Sequence, residues 1–169
     1  QLKQRLEQQG YAVTIIDHIN PDSPGLTENV EQLAQYDFTN AHVVAHSLGA
    51  ATFLKYLQDA NVTVASLTMI APACGVSNSS DERWKQESGY IDLAVDLSQM
   101  RRKIAQRPTI IYSDDAGVLN QCFARLGKEL GAAMQYEPGK GHFFTAEKSL
   151  APEITLPLSE KLILAEEAL

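Results

Sequence analysis

A serine stands between a short apolar run and an amphipathic stretch, in Ala45-His46-Ser47-Leu48-Gly49. The order small residue, any residue, serine, any residue, glycine is typical of a nucleophile elbow, with Ala45 in place of the usual first glycine. On such a strand-to-helix turn the serine has a strained backbone and an exposed hydroxyl, and the residues two before and two after it have to be small. The backbone N–H of Leu48, at the start of the helix, would bind an oxyanion. The pattern therefore predicts Ser47 as a nucleophile.

A serine hydroxyl needs a general base, and that base needs an orienting carboxylate. Two later apolar runs end at Ser113-Asp114-Asp115 and at Gly139-Lys140-Gly141-His142-Phe143. The chain order serine, aspartate, histidine is that of α/β-hydrolase triads. The order predicts His142 as the base and favours Asp115 as the acid, since Asp115 lies further beyond the strand. Asp114 is the alternative, although it could instead hold the turn.

Three further residues lie close to these positions in the sequence or in a polar stretch that could border the site. We expect His46, Phe143 and Trp84 to contact the substrate. Each also has a structural alternative: His46 could pack beside the elbow, Phe143 could anchor its loop, and Trp84 could anchor a surface loop. The four histidines show no metal-binding spacing, so no metal site is expected.

The elements that must position these residues alternate between short apolar runs and amphipathic stretches. Strands are predicted at 12–16, 41–45, 64–71, 109–112 and 132–136, and helices up to Gly10 and at 27–36, 48–60, 92–105, 118–130 and 158–168. Such alternation predicts an α/β fold, a three-layer α/β/α sandwich with a mainly parallel sheet of about five strands. In such sheets ligands bind at the carboxyl ends of the strands, where the three candidate catalytic residues fall.

Length and composition set the broad class. The 169 residues are 44% hydrophobic and 21% charged, which predicts one globular domain over 1–169 with a polar excursion at 75–91. A net charge of −7 without a basic block argues against a nucleic-acid partner, and no apolar run approaches the roughly 18 residues of a membrane helix. Two distant cysteines, Cys74 and Cys122, fit a reducing compartment, so a cytoplasmic location is expected. No glycine-rich phosphate loop occurs, and no cofactor is expected.

Three segments, residues 43–49, 113–115 and 141–143, together resemble the small single-domain serine hydrolases of the YdeN and retinoblastoma-binding-protein type. These are minimal α/β-hydrolases with little or no cap domain. The resemblance implies hydrolysis of small esters or related acyl compounds, and it implies that the second acid of the pair, Asp115, belongs to the triad. The alternative is a catalytically weak hydrolase-fold protein that acts in binding or scaffolding.

The resemblance also implies an N-terminal strand in mid-sheet, followed by a loop that donates a second oxyanion N–H. The 169 residues contain no counterpart of that strand and loop. We therefore expect the run 12–16 to pair directly with 41–45, a homodimer to accompany this closure, and ester turnover to lie below that of full-length relatives. Each unpaired backbone group inside the sheet would destabilise the fold by roughly 1–3 kcal/mol. The sheet should therefore close the gap left by the absent strand.

Overall fold

The computed structural model describes residues 2–17, 25–73, 95–114 and 120–143. The predicted excursion at 75–91 and the predicted helix at 158–168 lie outside these residues. The chain separates into two compact units, one of Gln1–Asp17 with Phe143–Leu169 and one of His18–His142. The second unit contains the sheet.

Within the described ranges, four parallel strands form one sheet in the order β1-β2-β3-β4. They are β1 (His42–His46), β2 (Ser66–Ile70), β3 (Thr109–Tyr112) and β4 (Ala133–Tyr136). Because neighbouring strands run parallel and follow the chain order, each connection has to cross a face of the sheet. All five residues of β2 are buried, as an apolar strand inside a covered parallel sheet should be. The α/β class and the parallel sheet are as the alternating sequence predicts.

Three helices of this unit lie close to the predicted positions, and a fourth is shorter than predicted. They are α2 (Leu26–Leu33), α3 (Leu48–Asp59), α4 (Leu97–Arg101) and α5 (Asn120–Leu130). Helix α4 begins only at Leu97, because the carboxylate of Asp96 accepts the backbone N–H of Gln99 at 3.0 Å and so caps the helix there. The prediction of a helix over 92–105 was too long at both ends within the described residues.

Helix α3 carries the predicted nucleophile at its start, and a lysine holds its end. The Nζ of Lys103 donates hydrogen bonds to the carbonyl oxygens of Leu57, Gln58 and Ala60 at 2.8, 2.8 and 2.7 Å. These carbonyls have no partner further along the helix, and an ammonium group also offsets the negative end of the helix dipole. Seven buried side chains of α3 fix its packing: Ala50, Ala51, Thr52, Phe53, Leu54, Tyr56 and Leu57.

In the other compact unit, helix α1 (Leu2–Gln8) ends near Gly10, whose φ of +95° suits a glycine after a helix. Residues 11–17 then follow without regular secondary structure. The prediction of a strand at 12–16 was therefore wrong, and so was its direct pairing with 41–45. A β-branched run favours a strand only where another strand offers its backbone and covers its side chains, and Ile15 is 64% exposed.

Among the described residues, no helix combines the length and apolar character needed to cross a membrane. The homodimer, the absence of a nucleic-acid partner and the cytoplasmic location stay predictions.

Candidate functional site

Ser47 forms the turn between β1 and α3 in a backbone conformation that non-glycine residues rarely adopt. Its φ is +52° and its ψ is −122°. A conformation of this kind costs about 1–3 kcal/mol and persists only where the surroundings hold it. The Ser47 N–H donates to the carbonyl of Ile70 at 3.0 Å, and the Ser47 carbonyl accepts from Ala50 and Ala73 at 3.1 and 3.0 Å. Hydrogen bonds to the end of β2 and to the segment after it thus hold the strained turn at Ser47 in place.

Small residues lie two positions before and two positions after Ser47. Ala45 is buried at 7% exposure, in agreement with the expected need for a small side chain two residues before the serine. At Gly49, in contrast, an added Cβ would meet none of the described atoms within 4 Å, apart from its chain neighbours and its own helix. The need for a small side chain at position 49 stays a prediction, since alanine is itself small.

Leu48, the expected oxyanion donor, is the first residue of α3. The first N–H groups of a helix have no acceptor one turn back, so they point out of its N-terminus and carry its partial positive charge. The structure places this N–H directly after Ser47, where an oxyanion formed at the serine would need a donor. Its role in catalysis stays a prediction.

His142 reaches the serine from a loop that follows β4. Its Nε2 lies 2.8 Å from the Oγ of Ser47, although 95 residues separate the two in the chain. Both side chains are half-buried. A neutral imidazole with its hydrogen on Nδ1 can accept the serine proton at this distance, which is the geometry required for general-base activation.

The loop that carries His142 bends sharply. Gly139 and Gly141 have φ values of +70° and +50°, and Phe143 has a φ of +60°. Glycine adopts such angles at little cost, whereas Phe143 needs its surroundings to hold it. Phe143 is completely buried. The substrate contact expected of Phe143 stays a prediction.

Two residues at the end of β3 hold the beginning of the same loop. The carboxylate of Asp114 accepts the backbone N–H groups of Gly139 and Gly141 at 3.1 and 3.4 Å. The Ser113 hydroxyl donates to Asp114 Oδ1 at 2.6 Å and accepts the N–H of Lys140 at 2.9 Å. The pKa of Asp114 is lowered below its ordinary value, mainly by the hydrogen bond from the Ser113 hydroxyl. Smaller contributions come from the backbone N–H groups of Asp114 itself, Gly141 and Gly139.

These contacts bear on the choice between the two acids. Asp114 is exposed and binds the main chain of residues 139–141, which is the turn-holding role that was its alternative. Asp115 lies outside the described residues, and so does Trp84. Asp115 as the acid and Trp84 as a substrate contact stay predictions.

His46 makes a contact that the sequence pattern did not indicate. Its Nε2 lies 2.9 Å from the backbone carbonyl oxygen of His142, and the two rings meet edge to face with centroids 4.9 Å apart. Ser113 is the other residue near the site whose part was missed. Its position directly before the two acids at a strand end was the only signal available for it.

The fold was compared with solved structures. The chain is similar to the ydeN gene product of B. subtilis, with a TM-score of 0.82 and 20% identity, over 99% of this chain and 89% of that one. A carboxylesterase structure from the thaumarchaeon Nitrososphaera gargenis matches with a TM-score of 0.66 and 12% identity, over 98% of this chain and 85% of that one. Est1E of Butyrivibrio proteoclasticus matches with a TM-score of 0.53 and 14% identity, over 88% of this chain and 73% of that one. At these identities the likeness shows the fold, that of the α/β-hydrolases.

Comparison with curated proteins gave no match. A protein-family model described as serine hydrolase matches residues 1–151, which include the elbow, the Ser-Asp-Asp segment and the histidine loop. The match spans most of the 169 residues, so the chain belongs to the serine hydrolase family.

Proposed function

We propose that the protein hydrolyses small esters or related acyl compounds through a Ser47-His142-Asp115 triad. The observation that carries the proposal is the 2.8 Å distance between the Oγ of Ser47 and the Nε2 of His142. The strained conformation of Ser47 and its place at the N-terminus of α3 add support, since both are features of an activated serine.

The proposed reaction has two halves. The Oγ of Ser47 attacks the acyl carbonyl carbon while Nε2 of His142 takes the hydroxyl proton, and the N–H of Leu48 binds the oxyanion. The tetrahedral intermediate then expels the alcohol, which receives its proton from His142. Water then attacks the acyl-serine while His142 takes a proton from it. The bond between the acyl carbon and the Oγ of Ser47 breaks, His142 returns the proton to Oγ, and the acid leaves. Asp115 accepts the Nδ1–H of His142 and stabilises the imidazolium. The reaction requires no cofactor.

The ester substrate class follows from the family and from one neighbour. The serine hydrolase family includes this chain, and the similar structure from Nitrososphaera gargenis is described as a carboxylesterase. A small acyl group is proposed because the resembling enzymes have little or no cap domain to enclose a large substrate.

Hydrolysis of short-chain p-nitrophenyl esters by wild type, Ser47→Ala and Ser98→Ala tests the proposal. Ser98 lies on α4, where its hydroxyl donates to Asp96 at 2.6 Å, so Ser98→Ala controls for loss of a serine elsewhere. The proposal predicts turnover in wild type and in Ser98→Ala, and a loss of several orders of magnitude in Ser47→Ala. Equal turnover in all three proteins would refute it. No turnover in any of them would favour the binding or scaffolding alternative.

A further inference from the structure

The side chain of His46 is a hydrogen-bond donor to the main chain of His142. Its Nε2 lies 2.9 Å from the carbonyl oxygen of His142. A carbonyl oxygen can only accept, so this nitrogen has to carry hydrogen, whether the imidazole is neutral or protonated. The edge-to-face arrangement of the two rings, at 4.9 Å between centroids, adds a packing contact to the same pair.

This hydrogen bond differs in its place from the other contacts of the loop. Ser113 and Asp114 bind the main chain of residues 139–141, before the histidine. His46 binds the carbonyl of His142 itself, the residue whose ring faces the serine. Its acceptor therefore lies immediately before Phe143, whose φ of +60° is the strained position of the loop.

The position of His46 in the chain explains how this contact can affect the distance between Ser47 and His142. His46 is the last residue of β1 and is joined directly to Ser47. A bond from His46 to the His142 main chain thus fixes the histidine to the same strand end that fixes the serine. This short connection adds to the contacts from Ser113 and Asp114 in fixing the distance between Oγ and Nε2. Displacement of a reacting group by about 1 Å can reduce a rate by roughly a hundredfold.

We propose that His46 is a positioning residue, which donates a hydrogen bond that holds His142 in reach of the Ser47 hydroxyl. The inference rests on the proposed function, since it assigns a role in the same reaction. It differs from the substrate contact expected of His46 from the sequence, because the ring nitrogen binds protein main chain.

Two variants of nearly equal size separate the donor from the volume of the side chain. His46→Gln keeps an N–H donor at the end of the side chain, and His46→Met has similar length without a donor. Both variants are made in the wild-type and His142→Ala backgrounds. The rate of Ser47 modification by a fluorophosphonate probe is measured for each variant and for each unmodified background. Thermal unfolding is recorded for each protein.

In the wild-type background His46→Met should react about tenfold or more slowly, and His46→Gln should stay within about threefold of wild type. In the His142→Ala background, measured at higher probe concentration, the two variants should react at the same rate, because the donor acts only through His142. Steady-state ester kinetics should place the loss in kcat, with KM little changed.

A purely structural role would slow Ser47 modification equally in both backgrounds, and this result would overturn the inference. Wild type and His46→Met reacting equally fast would overturn it as well, with the proposed function intact. Wild type that is not modified at Ser47 would refute the proposed function, and the positioning role with it. If His46→Met fails to fold, His46→Leu takes its place as the variant without a donor.

Discussion

The carboxylate of Asp114 accepts the backbone N–H of Gly139 at 3.1 Å, so the first of two adjacent acids after β3 binds the loop that carries His142. The contact gives Asp114 a structural role in that loop. Asp114 holds the main chain of the loop, and Asp115 is left as the proposed partner of the imidazole.

The two acids are therefore expected to respond differently to the same substitution. Asp115→Asn should lower kcat by about three to four orders of magnitude, because the imidazole loses its orienting carboxylate. Asp114→Asn should lower kcat by less than about tenfold, since an amide oxygen can still accept the N–H groups of the loop. Ester hydrolysis at neutral pH measures both. The opposite ranking would transfer the triad role to Asp114.

The lowered pKa of Asp114 predicts how its contribution to stability depends on pH. Hydrogen bonds from Ser113, and from backbone N–H groups including those of Gly141 and Gly139, favour the charged carboxylate in the folded protein. Its contribution is therefore complete above the unfolded pKa, near 3.8, and is lost as the pH falls through the lower folded pKa. The difference in melting temperature between wild type and Asp114→Asn should be constant near neutral pH and shrink below about pH 4. A difference that grows on acidification would contradict this assignment.

Gly49→Ala tests how much room the elbow leaves two residues after the serine. Because a Cβ there meets none of the described atoms within 4 Å and no positive φ is present, Gly49→Ala should fold and gain up to about 1 kcal/mol from higher helix propensity. Gly131 is the matched control, since a Cβ there also meets none of the described atoms within 4 Å but its φ is +60°. Gly131→Ala should lose about 1 kcal/mol. Denaturant unfolding compares them, and a Gly49→Ala protein less stable than Gly131→Ala would show that position 49 is crowded after all.

Lys103 should stabilise the protein through the end of α3. Lys103→Met removes three hydrogen bonds to helix carbonyls and should cost about 1.5–3 kcal/mol in the free energy of unfolding. The control is Lys55→Met, which removes an exposed ion pair with Asp59 at 3.3 Å and should cost no more than about 1 kcal/mol. Equal costs for the two substitutions would show that the carbonyl contacts of Lys103 contribute nothing beyond surface charge.

The local sequence pattern predicts which residues follow the ends of the strands. Apolar runs followed by Ser47, Ser113-Asp114 and His142 place these residues at the ends of parallel strands, and parallel strands bring their ends to one edge of the sheet. The convergence of Ser47 and His142 was predictable for this reason.

The remaining features depend on partners that local pattern does not specify. Residues 12–16 have the composition of a strand but make no strand, because pairing needs a second backbone in register. The acceptors of His46 and Lys103 are main-chain carbonyls, which every residue carries and which therefore leave no mark in the sequence. The room that the described residues leave for a Cβ at Gly49 likewise depends on which elements pack there.

The central claim is that His142 activates Ser47, and covalent labelling by a fluorophosphonate tests it most directly. Peptide mass spectrometry should find the probe on Ser47 in wild type, while His142→Ala should react more slowly by several orders of magnitude and Ser47→Ala should stay unmodified at this position. Labelling of Ser47 at an equal rate in wild type and His142→Ala would contradict the account, as would the absence of labelling in wild type under conditions that modify a control serine hydrolase.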